Sequence, residues 1–369
     1  MSMVCTGCGA PLQMEREGEK GYITGDAFMR EHPLCQRCYR LKHYGQISSV
    51  GISEEEYRTA VMRVLDKPAL VLYVVDLFDF NGSLVRGLTG VLNQHEVVMA
   101  ANKFDLFPWG VKADRVRNWL LREARRAELD VTQAVVLSAK SGEGVDELGS
   151  LLADRAKGRP IVVIGMANVG KSSLLNRIIE QHDEHVGQQF TTSHFPGTTL
   201  GAVAMKLIGG KTVVDTPGLL GIHRLQDRVC TASLKAIIPG QRLRPRVYQL
   251  RPGQTLFMGG LARVDFVRGP AQPFVVYVAN QLLVHRTKLV QADDLWTRQR
   301  GKLLTPPCSM CDEDLSNIRS KKMGFKKGRP VDVVMPGLGW VRLSGEDIEL
   351  NVHLPDRVEP AVRPALIGS

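Results

Sequence analysis

Eight residues, Gly165-Met-Ala-Asn-Val-Gly-Lys-Ser172, fit the pattern G-x-x-x-x-G-K-[ST]. Glycines at the two ends of such a loop let the backbone curl until successive N–H groups point at one phosphate. A helix that begins at the loop adds its positive end. In that chemistry Lys171 reaches the β and γ phosphates and the Ser172 hydroxyl ligates Mg²⁺. The set expected to touch nucleotide here is Gly165, Asn168, Val169, Gly170, Lys171, Ser172 and Ser173. Forty-four positions after Lys171 stands Asp215-Thr-Pro-Gly218. A carboxylate there can hold Mg²⁺, and the Gly218 N–H can sense a γ-phosphate. Alone, this tetrapeptide is a common turn; its distance from the phosphate loop gives it meaning. Between the two lies Phe195-Pro-Gly-Thr-Thr199, where Thr199 is the threonine expected to close over the metal. The catalytic set is then Lys171, Thr199, Gly218 and Asn168.

Asn102-Lys103-Phe-Asp105 and Ser138-Ala139-Lys140 supply base recognition. The Asp105 carboxylate can accept from guanine N1–H and the 2-amino group. Adenine lacks that donor pair, so it would leave a polar group unmatched. Asn102 ties the loop together, the Lys103 stem packs on the ring, and the 138–140 loop brings a backbone N–H to guanine O6. Leu219 follows the second phosphate motif where many small GTPases carry a glutamine. Leucine orients no water, so hydrolysis is expected to be slow or to draw on something outside these motifs. Asn168 is either a ligand for a monovalent cation or a loop-stabilising side chain.

Six of the seven cysteines form Cys-x-x-Cys pairs. Cys5, Cys8, Cys35 and Cys38 make a four-thiolate set suited to tetrahedral Zn²⁺, with 26 residues between the pairs. Around the second pair Arg37, Arg40, Lys42, Tyr39 and Tyr44 give a mixture that fits RNA or a solvated face; His32 and His43 read as surface residues. Cys308 and Cys311 are half a site and are expected to be turn cysteines. Cys230 has no evident partner in the sequence.

The elements that must position these motifs alternate in the α/β manner. Apolar runs at 69–75, 97–101, 134–137 and 161–164 read as buried parallel strands, and 201–208 and 211–214 as two more. Helices are expected at 53–66, capped by Ser53, and at 112–128, 144–156 and 171–180. From about 240 the texture becomes short β-like runs separated by Gly and Pro. The expected domains are a cysteine-bearing finger at 1–45, a nucleotide-binding domain at 46–235 and a strand-rich domain at 240–369.

At 369 residues, 44% hydrophobic and 23% charged, the composition is that of an ordinary globular protein. No apolar run is long enough to span a membrane. The beginning, MSMVCTGCGA, does not read as a secretory signal, so a cytoplasmic location is expected. The net charge of +10 is uneven: residues 241–302 hold eleven Arg/Lys against three Asp. That segment favours a polyanionic partner.

The base-reading motifs precede the phosphate motifs, the reverse of the ordinary GTPase order. The fold class expected is therefore a P-loop NTPase with circularly permuted strands, which a doubly wound sheet tolerates when its natural ends lie close. One consequence is mechanical. The loop after Asp215 leads straight into the C-terminal domain, so nucleotide state could pass along it, through the link near Pro239–Gly240.

With that order, the chain resembles the YqeH family of circularly permuted GTPases, over nearly its whole length. Val74-Val-Asp76-Leu-Phe-Asp79-Phe-Asn81-Gly-Ser83 is similar to that family's signature ahead of the base-reading motif, its acidic residues shaping a loop. The resemblance implies a TRAFAC-type GTPase, K⁺ stimulation, a basic C-terminal RNA-binding part, and assistance in assembling the small (30S) ribosomal subunit, with rRNA as partner. The competing expectation is a nucleotide-switched adaptor for a non-ribosomal protein or an anionic membrane surface. The Arg/Lys residues argue against it, because they are scattered through β-like runs and make no amphipathic basic helix. A metabolic enzyme driven by GTP would need a further catalytic constellation, and none is visible in the sequence.

Overall fold

The computed structural model describes residues 3, 5, 11–16, 21–29, 33–36, 54–182, 193–194, 203–207 and 211–368. The chain divides into two compact units. The first comprises residues 1–77, 83–104 and 120–220, and the second 78–82, 105–119 and 221–369.

The first unit is built on a seven-stranded sheet in the order β3-β2-β1-β4-β7-β6-β5. Its strands are β1 (Leu70–Asp76), β2 (Glu96–Asn102), β3 (Gln133–Val136), β4 (Ile161–Ile164), β5 (Ser193–His194), β6 (Val203–Leu207) and β7 (Lys211–Asp215). The five from β3 to β7 in this order run parallel, and β6 and β5 close the edge antiparallel. All seven residues of β1 are buried, as a strand covered on both faces must be. The chain builds outward from β1 through β2 to β3, then returns to lay β4 on the other side of β1. That reversal is a topological switch point, where the carboxyl ends of a doubly wound sheet form a ligand crevice.

Helices α1 (Glu54–Val64), α2 (Ala113–Arg126), α3 (Val145–Ala156) and α4 (Lys171–His182) occupy the expected places. Three acidic residues, Glu54 to Glu56, sit in the first turn of α1 and complement its dipole. Its buried residues Tyr57, Ala60, Val61 and Val64 recur at helical spacing and make one apolar face. The Ser53 cap lies outside the described residues. Among those that are described, no helix is long and apolar enough to cross a membrane.

The second unit holds two five-stranded sheets. One is ordered β12 (Val284–Lys288), β9 (Gln254–Met258), β10 (Ala262–Arg268), β16 (Ile348–Pro355), β13 (Ile318–Phe325). The other is ordered β17 (Ala361–Pro364), β14 (Val331–Met335), β15 (Gly339–Leu343), β11 (Gln272–Val278), β8 (Arg246–Leu250). All their pairings are antiparallel. Residues on β9, β10 and β16, such as Leu256, Phe266 and Leu350, share one core with Phe274, Val276 and Val341 of β11 and β15. Helices α5 (Thr231–Ile237), α6 (Ala292–Gln299) and α7 (Ser309–Leu315) complete the unit.

The border between units falls at Leu220/Gly221, earlier than the 235/240 border expected from composition. Residues 221–238 are not a tail of the first unit, because Leu225 and Ile237 are wholly buried in the strand-rich core. The short segment 78–82 belongs there too. Asp79 Oδ2 accepts from Arg224 Nε at 2.9 Å, and its Oδ1 accepts from the Gly337 N–H at 2.8 Å. Gly82 is required beside it, since a Cβ there would stand 2.3 Å from Asp79 Oδ2.

Candidate nucleotide site

Each described motif lies at the carboxyl end of a parallel strand: residues 102–105 after β2, 138–140 after β3, 165–172 after β4 and 215–218 after β7. Asn102 joins three of these loops. Its Nδ2 donates to the Val169 carbonyl at 3.0 Å, and its Oδ1 accepts from the N–H groups of Lys103 at 2.8 Å and Ala139 at 2.9 Å. Gly170, at φ +94°, has room for no side chain, because a Cβ would meet Asn102 Nδ2 at 2.3 Å. The Ala139 N–H is thus committed to Asn102.

Lys103 takes a left-handed φ of 71°, which aims its side chain across the phosphate loop. Its Nζ donates to Asp76 Oδ2 at 2.6 Å and to the Asn168 carbonyl at 2.8 Å. Asp76 stands at the end of β1, so this acidic residue of the 74–83 segment anchors the base loop. Asp105 lies in the 3₁₀ turn Phe104–Leu106 and is half-buried. Ser138 is buried, and its Oγ accepts from the Ser141 N–H at 3.0 Å, which holds the 138–141 turn.

In the phosphate loop, Asn168 adopts φ 62°, a conformation asparagine tolerates better than most residues. Its side chain is exposed; the carbonyl, not the amide, is what holds Lys103. Lys171 is buried, and its Nζ donates to the carbonyls of Gly165 at 2.9 Å and Met166 at 3.0 Å. Ser172 is half-buried and Ser173 exposed at the start of α4.

The loop after β7 is laced to the phosphate loop. The Ala167 N–H donates to the Leu219 carbonyl at 2.7 Å, and a parallel bridge joins Met166 with Leu219. Gly218 approaches so closely that a Cβ would lie 2.9 Å from Ala167 Cα and 3.1 Å from Lys171 Nζ. The Leu219 side chain is buried, so the position where a glutamine could address water is turned inward. Asp215 is 4% exposed, and its Oδ1 has no hydrogen-bond partner among the described residues. Burial pushes its carboxyl up to about 6, with Lys171 pulling in the opposite direction. An orphaned carboxylate oxygen facing a phosphate loop fits a hard cation such as Mg²⁺.

Tyr57 of α1 is a contributor that motif reading missed. Thr216 Oγ1 donates to the Val163 carbonyl at 2.7 Å, which leaves the Tyr57 hydroxyl to donate to Thr216 Oγ1 at 3.3 Å and to accept from the Gly165 N–H at 3.4 Å. One phenol therefore bridges the first residue of the phosphate loop and the loop after β7. Its burial raises the phenol to about 12. No pattern marks it, since a buried tyrosine on an amphipathic helix looks like core.

Cys5 and Cys35 are both buried, and the Cys35 N–H donates to Cys5 Sγ at 3.2 Å. An amide N–H aimed at sulfur favours a thiolate, and this suits a metal ligand. Cys8 and Cys38, Thr199 with the rest of 195–199, and Arg37, Arg40, Lys42, Tyr39, Tyr44, His32 and His43 lie outside the described residues. Cys308 and Cys311 are not isolated turn cysteines, because the Cys230 sulfur joins them.

The basic segment is less available than its charge suggests. Arg246 donates to the carbonyls of Leu282, Ala279 and Asn280, Arg300 to those of Gly260 and Leu315, and Arg263 pairs with Asp265 and Asp293. Arg244, Arg251, Arg286 and Lys288 are exposed. Arg242 lies with its guanidinium 3.7 Å over the ring of Trp109, and that ring is itself 85% exposed.

Residues 160–242 match the family model described as 50S ribosome-binding GTPase, and residues 271–366 the model described as YqeH-like, C-terminal. The chain is 36% identical to YqeH of Bacillus subtilis (strain 168), over 99% of both chains. It is 30% identical to a protein of Oryza sativa subsp. japonica named putative nitric oxide synthase, over 98% of this chain and 77% of that one. It is also 38% identical to the small ribosomal subunit biogenesis GTPase RsgA of Syntrophotalea carbinolica, over 27% of this chain and 28% of the relative.

Proposed function

The chain belongs to the YqeH family, and on that premise we propose that it is a cytoplasmic assembly factor for the small ribosomal subunit, with GTP or GDP controlling its hold on rRNA. It is a GTPase with a circularly permuted P-loop fold. The observation that carries the nucleotide reading is the Asn102 side chain, which locks the base-reading, phosphate and 138–140 loops into one crevice at the switch point.

In this reading Asp105 selects guanine, and the N–H groups from Gly165 to Ser173 cradle the phosphates. Lys171 leaves its two carbonyls to meet the β and γ oxygens. Ser172, Asp215 and Thr199 hold Mg²⁺, which when bound neutralises charge developing on the phosphates. Gly218 reports the γ-phosphate. Leu219 does not orient water, so the exposed Asn168 amide holds a K⁺ ion that supplies the missing charge. The N-terminal Cys5, Cys8, Cys35 and Cys38 hold Zn²⁺. Because the chain passes into the second unit for the last time at Gly221, the link that transmits nucleotide state in this reading is Leu220–Gly221, upstream of Pro239–Gly240.

Two features support an RNA partner: the exposed Arg244, Arg251, Arg286 and Lys288, and the Arg242–Trp109 stack, which offers a platform of the kind unpaired bases use. The small subunit is favoured by the likeness to RsgA, whereas the family model matched by residues 160–242 is that of a 50S ribosome-binding GTPase. The deciding test is therefore co-sedimentation with both subunits, using a GTP analogue, GDP and an Asp105→Asn control. Triphosphate-dependent binding to the small subunit, lost in the control, is the expected result. Binding to the large subunit alone, or equal binding with either nucleotide, would overturn it.

A further inference from the structure

Three sulfurs meet in the second unit, where no nucleotide motif lies. Cys230 immediately precedes α5, and Cys308 immediately precedes α7. Each helix start presents a pair spaced i, i+3, namely Cys230 with Ser233 and Cys308 with Cys311, and that spacing turns both side chains to one side. The two pairs face each other. Cys230 Sγ lies 3.2 Å from Cys308 Sγ, and Cys308 Sγ lies 3.6 Å from Cys311 Sγ. All three sulfurs fall within 4.8 Å of one another. Ser233 Oγ completes the group, 3.6 Å from Cys230 Sγ and 3.3 Å from Cys311 Sγ.

Simple core packing accounts poorly for this arrangement. Cys311 is buried in the apolar core, but Cys230 and Cys308 are only half-buried at its margin, where a small hydrophobe gains little. The sulfurs are also not bonded to each other, since a disulfide needs ~2.05 Å. A tetrahedral thiolate site with Zn–S of ~2.3 Å has sulfurs ~3.8 Å apart, which lies between the shortest separation here, 3.2 Å, and the 4.8 Å limit. Three soft ligands and one hydroxyl, drawn from segments 78 residues apart, match a structural site for a thiophilic divalent ion.

We propose that Cys230, Cys308 and Cys311 bind a structural zinc-class ion, with the Ser233 hydroxyl or a water at the fourth position. The ion would staple α5 to α7. It would thereby fix, within the second unit, the segment that follows the 215–218 loop.

The test is metal content of the full chain by mass spectrometry, for wild type, Cys308→Ser/Cys311→Ser and Cys5→Ser/Cys35→Ser. The Cys308/Cys311 variant should hold one zinc equivalent per chain fewer than wild type. Undiminished zinc in that variant would overturn the proposal, as would a Cys230–Cys308 disulfide in wild-type peptide maps made without reductant. The Cys5/Cys35 variant leaves the C-terminal thiols intact and guards against a misfolded cluster variant. Grown with cobalt, it should show thiolate-to-cobalt charge-transfer absorption, and its absence would equally overturn the site. Ser233→Cys should slow release of the metal to a chelator.

Discussion

The Asn102 amide and the Val169 carbonyl, 3.0 Å apart, join a base-reading loop to a phosphate loop that lies 67 residues later in the chain. The Asn102 oxygen is equally used, since it accepts from Lys103 and Ala139. Asn102→Ala leaves these buried groups unmatched, at about 1–3 kcal/mol. GTP affinity should fall by roughly 5- to 150-fold. A titration with fluorescent GDP or GTP checks this, and an unchanged Kd would remove Asn102 from the centre of the site.

Asp215 sets a pH dependence. Burial raises its carboxyl from 3.8 to about 6, so the folded chain holds this proton more tightly than the unfolded one. Its contribution to stability without metal is full below pH 3.8 and is lost as pH rises through about 6. Cation binding has the opposite sign, because it needs the carboxylate. Mg²⁺-dependent nucleotide affinity should rise with pH up to about 6, roughly tenfold per unit, and then level off. Asp215→Asn should abolish the step in calorimetric titrations between pH 5 and pH 8.

The Tyr57 hydroxyl touches both Gly165 and Thr216. Tyr57→Phe retains the ring and removes both contacts, a loss of about 1 kcal/mol. Nucleotide affinity should weaken by roughly fivefold, and the Gly165 amide should exchange hydrogen faster. Wild-type exchange at Gly165 would show that the phenol is only core.

The Asp79–Arg224 pair is almost wholly buried, and Asp227 lies 3.3 Å from the same guanidinium. Arg224→Ala strands two buried carboxylates and should destabilise the second unit by about 3–5 kcal/mol. Trp340, stacked on Tyr277, provides the fluorescence probe for urea unfolding. Gly82→Ala should act in the same direction, through the clash with Asp79.

Replacing Arg244, Arg251, Arg286 and Lys288 by Gln should weaken RNA binding and flatten its salt dependence, by about 0.7–0.9 in slope for each phosphate contact removed. Arg246→Gln should instead lower stability, because its guanidinium is spent on three carbonyls. Equal RNA affinity for the four-residue variant would move the interface elsewhere.

Strand and helix positions of the first unit were legible because β1 and β4 are continuous apolar runs and α1 has a helical period. The phosphate and base motifs were legible because their residue types recur at fixed local spacing, as in Gly165–Ser172 and Asn102–Asp105. Long-range partners were not. Nothing in the sequence around Cys230 points 78 residues ahead to Cys308, and a loop aspartate such as Asp79 does not announce Arg224. The excess charge of 241–302 misled in part, since composition cannot separate an arginine that faces solvent from one, like Arg263, that is itself buried and paired with the buried Asp265 and the exposed Asp293.

The partners of Asp79 also impose an order of events during synthesis. Gly337, whose amide Asp79 accepts, is made 258 residues later. At about 5–20 residues per second, Asp79 waits roughly 13–50 s for it. Throughout that interval Phe78 and Phe80, buried in the finished protein, have no C-terminal strands to cover them. The nascent chain therefore leaves apolar surface of the kind that chaperones bind uncovered until its last third emerges, and a fragment beginning at residue 240 would lack residues 78–82, 105–119 and 221–239 of its own unit.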